Sequence, residues 1–152
     1  MNSELAQSIC NALLPMSRLI RTAVRADPPL PLLPYAQVEV LRVIQDQPGV
    51  SVRGVAQTLQ LAPNTVSTLV RALLNADLIE QQPVVGRGRT TTLTLTESAV
   101  SMLDVWDDRR AEVVSEVLES LPTGSVEAIS RALPALAEFQ TALEQRIGAG
   151  RG

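Results

Sequence analysis

Between Ser51 and Thr96 the hydrophobic repeat changes period, and that change restricts the fold more than any other property of the chain. From Ser51 the apolar positions Val52, Val55, Ala56 and Leu59 recur at helical spacing, with Ser51 placed to cap the helix they define. Pro63 suits a first helical turn and opens a second run over Val66, Leu69, Val70, Leu73 and Leu74. Two short amphipathic helices joined by a few residues predict a helix-turn-helix. Ile79 to Val84 and Thr90 to Thr96 then read as two antiparallel strands around Val85-Gly86-Arg87-Gly88-Arg89. Glycine accepts the positive φ that a tight reversal needs, so this tip should project Arg87 and Arg89 into solvent, an arrangement of use mainly to an anionic partner.

The flanks keep a helical period. Leu5, Ile9, Leu13, Met16, Ile20 and Val24 predict a helix over 3–26, with a kink at Pro15. The run DPPLPLLP at 27–34 breaks it, and Pro34 suits the first turn of another helix reaching about Gln45 over Val38, Leu41 and Ile44. Thr96 can cap a further helix that carries Glu97 in its first turn and runs over Val100, Leu103, Val113, Val117 and Leu121 to Pro122. After Thr123, the positions Val126, Ile129, Leu133, Leu136, Gln140, Leu143 and Ile147 form a seam that only Gln140 interrupts, and Pro134 predicts a bend in it. The seam and the 5–24 stripe carry more apolar surface than one helix-turn-helix can cover, so a second copy of the chain should bury it.

Composition removes several function classes. With 152 residues, 45% of them apolar, the chain can bury a core as one domain with helical extensions. No apolar run approaches a membrane span, and the N-terminus lacks the basic start of a signal peptide, so a cytoplasmic protein is expected. One cysteine and no histidine exclude an internal disulfide and any usual metal-ligand spacing, and they weaken hydrolase readings. No metal, no cofactor and no catalytic residue is expected. Asp104, Asp107, Asp108 and Glu112 read as a solvated helix face partly neutralised by Arg109 and Arg110. Cys10, beside Ile9, reads as a packed thiol, and Trp106 as core or interface filling.

Charge is distributed unevenly. The net charge is -3, yet 51–96 holds Arg53, Arg71, Arg87 and Arg89 against Asp77 and Glu80, while 97–147 holds ten acids against four arginines. Every cation is arginine, able to make planar bidentate contacts. On a helix over 63–75 the apolar set turns inward and leaves Asn64, Thr65, Ser67, Thr68 and Arg71 on the other side, with 64, 68, 71 and 75 in one stripe. Small hydrogen-bonding residues with one arginine suit a major groove, where Asn reads adenine edges, Arg reads guanine edges, and Ser or Thr take phosphate or base.

In this order, SVRGVAQTLQLAPNTVSTLVRALLNADLIEQ followed by GRGRTTTLTLTESA resembles the winged helix-turn-helix of the MarR family of bacterial transcription regulators; YAQVEVLRVI and the long flanking helices extend the resemblance over essentially 3–147. It implies an α+β, mostly α fold: a winged helix-turn-helix with long N- and C-terminal dimerisation helices. It further implies an N-terminal dimerisation helix and linker at 1–33, a DNA-binding domain at 34–96 and C-terminal dimerisation helices at 97–152. The implied function is a ligand-responsive repressor, not an enzyme, that binds a pseudo-palindromic operator in double-stranded DNA as a homodimer and answers to a small-molecule effector. Asn64, Thr65, Ser67, Thr68 and Arg71 match the family's groove-facing positions, and Arg89 matches the wing arginine. Arg87 stands where the family usually has a wing-bracing aspartate, Gln60 where a turn glycine is frequent, and Ala62 where a serine cap is common. A winged-helix protein-interaction module without DNA binding is the alternative reading of the same stripe.

Overall fold

The computed structural model describes residues 2–84 and 91–149. Among them are six helices and two strands, in the order α1 (Asn2–Ala26), α2 (Tyr35–Asp46), α3 (Val52–Leu59), α4 (Pro63–Asn75), β1 (Ile79–Pro83), β2 (Thr91–Leu95), α5 (Glu97–Glu119) and α6 (Thr123–Ala149). This is the mostly helical α+β arrangement the hydrophobic periods predict. The chain divides into two compact units, Met1–Ala111 and Glu112–Gly152.

The core of the first unit lies around α2. Val40, Leu41, Val43 and Ile44 of this helix are buried with Val55 and Ala56 of α3, Val66, Val70 and Leu73 of α4, Ile79 and Leu93 of the strands, and Ala99 and Leu103 of α5. The spacing of Val38, Leu41 and Ile44 described only one edge of this face. Because α2 has neighbours on several sides, its apolar arc is wider than one stripe, and Val40 and Val43 belong to the core while Val38 is only partly buried. Pro34 is the N-cap of α2 and not its first helical residue; its carbonyl accepts from the Gln37 and Val38 N–H groups at 2.9 and 3.2 Å.

Local chemistry accounts for the other boundaries. The Ser51 hydroxyl accepts from the Gly54 N–H at 3.1 Å and caps α3. That helix ends at Gln60, whose φ of 56° and ψ of 37° are left-handed, the region expected from the usual glycine here. Ala62 stands at the N-cap of α4 with no side-chain hydrogen bond, and Pro63 follows it. Thr96 caps α5 by accepting from the Ala99 N–H at 3.2 Å, and its hydroxyl donates to the Asp77 carbonyl at 2.9 Å. One side chain thus fixes the start of α5 against the turn between α4 and β1.

The strands pair antiparallel in the register Ile79↔Leu95, Gln81↔Leu93 and Pro83↔Thr91, each slightly shorter than the sequence pattern. An additional bridge went unanticipated: Val50 pairs with Leu93, with the Gly49 N–H donating to the Leu93 carbonyl and the Leu93 N–H to the Val50 carbonyl, both at 2.9 Å. It fastens the hairpin to the approach of α3. Gly54 makes room for this joint, since a Cβ there would stand 2.7 Å from Val50 Cγ2.

Helical structure continues through Pro15 in α1 and through Pro134 in α6. In α1, Val24 is buried, Ile9, Leu13 and Ile20 are partly buried, and Leu5 and Met16 are exposed. Cys10 is exposed, against the expectation of a packed thiol: one residue beyond Ile9 is about 100° around the helix, enough to leave the apolar stripe. In the second unit Ile129, Leu133, Leu136, Phe139, Leu143 and Ile147 of α6 are all exposed.

Candidate nucleic-acid interface

The candidate recognition face is built by α4. Burial of Val66, Val70 and Leu73, with Leu69 and Leu74 packed beside them, fixes the helix's rotation about its own axis. Asn64, Thr65, Ser67, Thr68 and Arg71 are consequently all exposed, and Asn75 continues their stripe. No acid interrupts it: α4 reads PNTVSTLVRALLN. The Ser67 hydroxyl donates to the Pro63 carbonyl at 2.9 Å and the Thr68 hydroxyl to the Asn64 carbonyl at 3.1 Å. Each oxygen keeps acceptor capacity, and turning the hydroxyl outward costs one exposed hydrogen bond. Arg53, in the first turn of α3, is also exposed.

The hairpin's paired ends at Pro83 and Thr91 direct the chain into the 85–90 segment that holds the other two expected contacts. Arg87 and Arg89 lie outside the described residues. On the ladder, Leu93 points into the core, and the Gln81 side-chain amide donates to the Thr91 hydroxyl at 2.7 Å.

Sequence reasoning gave no pocket residues, yet a cavity of about 580 Å³ opens in the first unit between α1, α2 and α5. Its apolar wall includes Met16, Ile20, Leu32 and Trp106; Trp106 is half-buried at this wall. Arg21 stacks on the Tyr35 ring with its guanidinium carbon 4.6 Å from the centroid. Burial, then the Glu39 charge and the hydrogen bond the phenol donates to the Glu39 carboxylate, raise Tyr35 above its ordinary value, with Arg21 opposing.

At the cavity's edge Arg42 of α2 makes a bidentate pair with Asp107 of α5, Nη2 to Oδ1 at 2.6 Å and Nη1 to Oδ2 at 2.8 Å. Arg110 reaches the same carboxylate at 2.9 Å, while Arg109 approaches Asp27 at 3.7 Å. The acidic face of α5 is therefore neutralised partly from α2, a partner that helical spacing alone could not supply. Among the described residues no cluster of three metal-ligating side chains occurs, and no helix is long and apolar enough to cross a membrane.

Comparison with known proteins agrees with this architecture. Residues 33–90 match the family model described as the MarR family. No curated protein matches the chain in sequence. Among solved structures, a MarR family protein from Bacillus stearothermophilus is similar with a TM-score of 0.70 at 17% identity, covering 91% of this chain and 94% of that one. The transcriptional regulator Tm0710 from Thermotoga maritima matches at 0.65 and 20% identity, covering 96% of each chain. A mutant of MepR from Staphylococcus aureus, bound to an oligodeoxyribonucleotide, matches at 0.62 and 19% identity, covering 92% of this chain and 98% of that one.

Proposed function

We propose that this chain is a transcription regulator of the MarR family and not an enzyme, and that it is a repressor that binds a pseudo-palindromic operator as a homodimer. The observation that carries the reading is the exposed, acid-free edge of α4, held in orientation by Val66, Val70 and Leu73 beneath it. Asn64, Thr65, Ser67, Thr68 and Arg71 enter the major groove, with Asn64 and Arg71 reading base edges and the hydroxyls taking phosphate or base. Arg89, and Arg87 beside it, reach the adjoining minor groove, where a narrow groove concentrates negative potential.

Residues 34–96 form the DNA-binding domain, and 1–33 and 97–152 supply the dimerisation helices. The open apolar residues Leu5, Leu14 and Leu19 of α1, and Leu133, Leu136 and Leu143 of α6, support this division, because side chains of this size left in water favour a partner. A two-fold dimer presents two copies of α4, so the half-sites lie about one helical turn, roughly 10 base pairs, apart. A small molecule in the cavity beside Trp106 regulates binding by favouring the geometry that does not fit DNA. The protein works in the cytoplasm.

Selection of bound sequences from random DNA tests binding, palindromy and spacing together. The reading expects an inverted repeat of that spacing, with affinity falling steeply as salt rises. Recovery of no enriched sequence, together with salt-independent or absent DNA binding, leaves the α4 face to a protein partner and refutes the operator reading.

A further inference from the structure

The helix that carries the candidate recognition edge ends in a left-handed turn held from outside. Asp77 follows α4 with a φ of 56°, in the region that glycine usually occupies at this place. The Leu78 N–H donates to the Leu73 carbonyl at 3.0 Å and the Asp77 N–H to the Leu74 carbonyl at 3.1 Å, the pair of bonds that closes a helix through a left-handed residue. An aspartate there carries a steric cost that glycine avoids. Thr96, at the return of the β1–β2 hairpin, grips this turn twice. Its N–H donates to the Leu78 carbonyl at 3.2 Å, and its hydroxyl donates to the Asp77 carbonyl at 2.9 Å. The same hydroxyl oxygen accepts from the Ala99 N–H at 3.2 Å, so one group is at once the cap of α5 and a tether of α4.

Burial and hydrogen bonding fix different properties of α4. Val66, Val70 and Leu73 settle which edge of the helix faces out, but apolar burial is non-directional and tolerates a small tilt or slide. A hydrogen bond, with its narrow range of length and angle, does not. At the leading end of α4, Ala62 makes no side-chain hydrogen bond, so the side-chain tether lies at the trailing end. From there the 13-residue helix reaches back roughly 20 Å. A tilt of about 3° at the joint displaces the leading turn, with Asn64 and Thr65, by about 1 Å, more than a hydrogen bond to a base edge tolerates. The joint needs a side chain that both donates and accepts: aspartate caps α5 and gives nothing to Asp77, and valine does neither.

We propose that the Thr96 hydroxyl is a positioning group for the recognition helix: its bond to the Asp77 carbonyl sets the tilt at which α4 offers its polar edge, so operator affinity depends on that bond beyond its share of stability. The inference rests on the regulator reading above and gives a role in DNA binding to a residue outside α4 and the 85–90 segment.

The test measures thermal melts and DNA binding by fluorescence anisotropy for the full chain and its Thr96→Ser, Thr96→Val and Thr96→Asp variants. The two duplexes are the operator recovered by selection and a scrambled sequence of equal length. Binding is read well below every melting temperature, where a purely structural loss leaves nearly all of the protein folded and its affinity unchanged. Thr96→Ser, which keeps donor and acceptor, should stay within about twofold of the unmodified protein on both duplexes. Thr96→Val and Thr96→Asp should bind the operator roughly tenfold more weakly, the scale of one lost hydrogen bond. Their affinity for the scrambled duplex should fall by less than about threefold, because phosphate contacts carry no base-edge geometry. Thr96→Asp keeps the cap and should melt above Thr96→Val. Unchanged operator affinity in both variants overturns the positioning role. An equal loss on the two duplexes also overturns it, as does a Thr96→Ser protein as weak as Thr96→Val. Should Thr96→Val not fold, Thr96→Asp decides alone by the same comparison. A folded, unmodified protein that yields no operator and binds neither duplex overturns the regulator reading and this role together. One that binds its operator and is matched by its variants leaves the regulator reading standing and removes only the role of Thr96.

Discussion

Leu133→Ala on α6 probes the proposed homodimer at a position where the monomer has little to lose. Leu133 is 57% exposed in the single chain, so its truncation opens no cavity in the monomer's own core, and alanine is at least as good a helix former. If a second copy covers it, the substitution removes three buried carbons worth about 0.8 kcal/mol each when fully buried. Scaled by the 57% that the partner could cover, the loss is about 1.4 kcal/mol per copy. A two-fold interface contains the residue twice, which gives about 2.7 kcal/mol per dimer and a roughly hundredfold rise in its dissociation constant. Sedimentation equilibrium over a range of concentrations reads that constant directly, with helical content by circular dichroism confirming an intact monomer. Glu138→Ala, on the same helix but outside the 129, 133, 136, 143 seam, is the control and should change the constant little. A dissociation constant unmoved by Leu133→Ala, an equal effect of Glu138→Ala, or an unmodified protein that is monomeric throughout would remove α6 from the interface.

The caps and the groove contacts give further tests. Ser51→Ala deletes the cap of α3 and should cost about 1 kcal/mol, whereas Ala62→Ser supplies the missing cap of α4 and should gain a similar amount. Thermal melts at one fixed protein concentration should move in opposite directions, by roughly 2–4 °C each for a chain of this size; shifts of the same sign would contradict the cap assignments. Gln60→Gly relieves a left-handed residue worth about 1–2 kcal/mol of strain, but adds about 0.5–1 kcal/mol of chain entropy. It also deletes the Gln60 Nε2 bond to the Gln57 carbonyl, so the net should be a small stabilisation, and a clear loss in denaturant melts counts against the strain argument. Arg71→Ala should weaken operator binding by about 1–3 kcal/mol and relax preference at one base position, while Arg89→Ala should weaken binding to all sequences and lower the salt slope by about one. Equal effects of the two on operator and random DNA would end that division of roles.

What the sequence made legible was local. Ser51, Pro63 and Thr96 announce helix boundaries because capping is settled within a few residues of chain, whereas Gln60 and Ala62 carry no such signal and were placed at a boundary only by the family resemblance. The outward face of α4 was equally legible, since the same spacing that buries Val66, Val70 and Leu73 must expose 64, 68 and 71. The long-range partners had no such signature. Nothing in the spacing of Asp104, Asp107 and Asp108 distinguishes the one that meets Arg42, 65 residues away, because all three sit within one turn of the same helix. The Val50–Leu93 bridge left only an indirect trace: a glycine at 54, in the first turn of a helix, where a larger residue would strike Val50.

In the proposed regulator, sequence preference and affinity rest on different kinds of contact. The residues proposed to face the groove occupy one 13-residue helix, whose rotation is fixed by its own apolar spacing, so a substitution on its polar edge should change what is contacted without moving the helix. The Arg42–Asp107 pair joins residues 65 apart in sequence and lies off α4, so a substitution there leaves every proposed groove contact chemically intact while altering where α2 is held. The two classes of variant should therefore differ in kind: α4 substitutions alter sequence preference, whereas Asp107→Asn leaves the preferred operator unchanged and alters affinity. A shift in preferred sequence caused by Asp107→Asn would mean that α5 sets the orientation of α4 itself, and recognition could no longer be assigned to α4 alone.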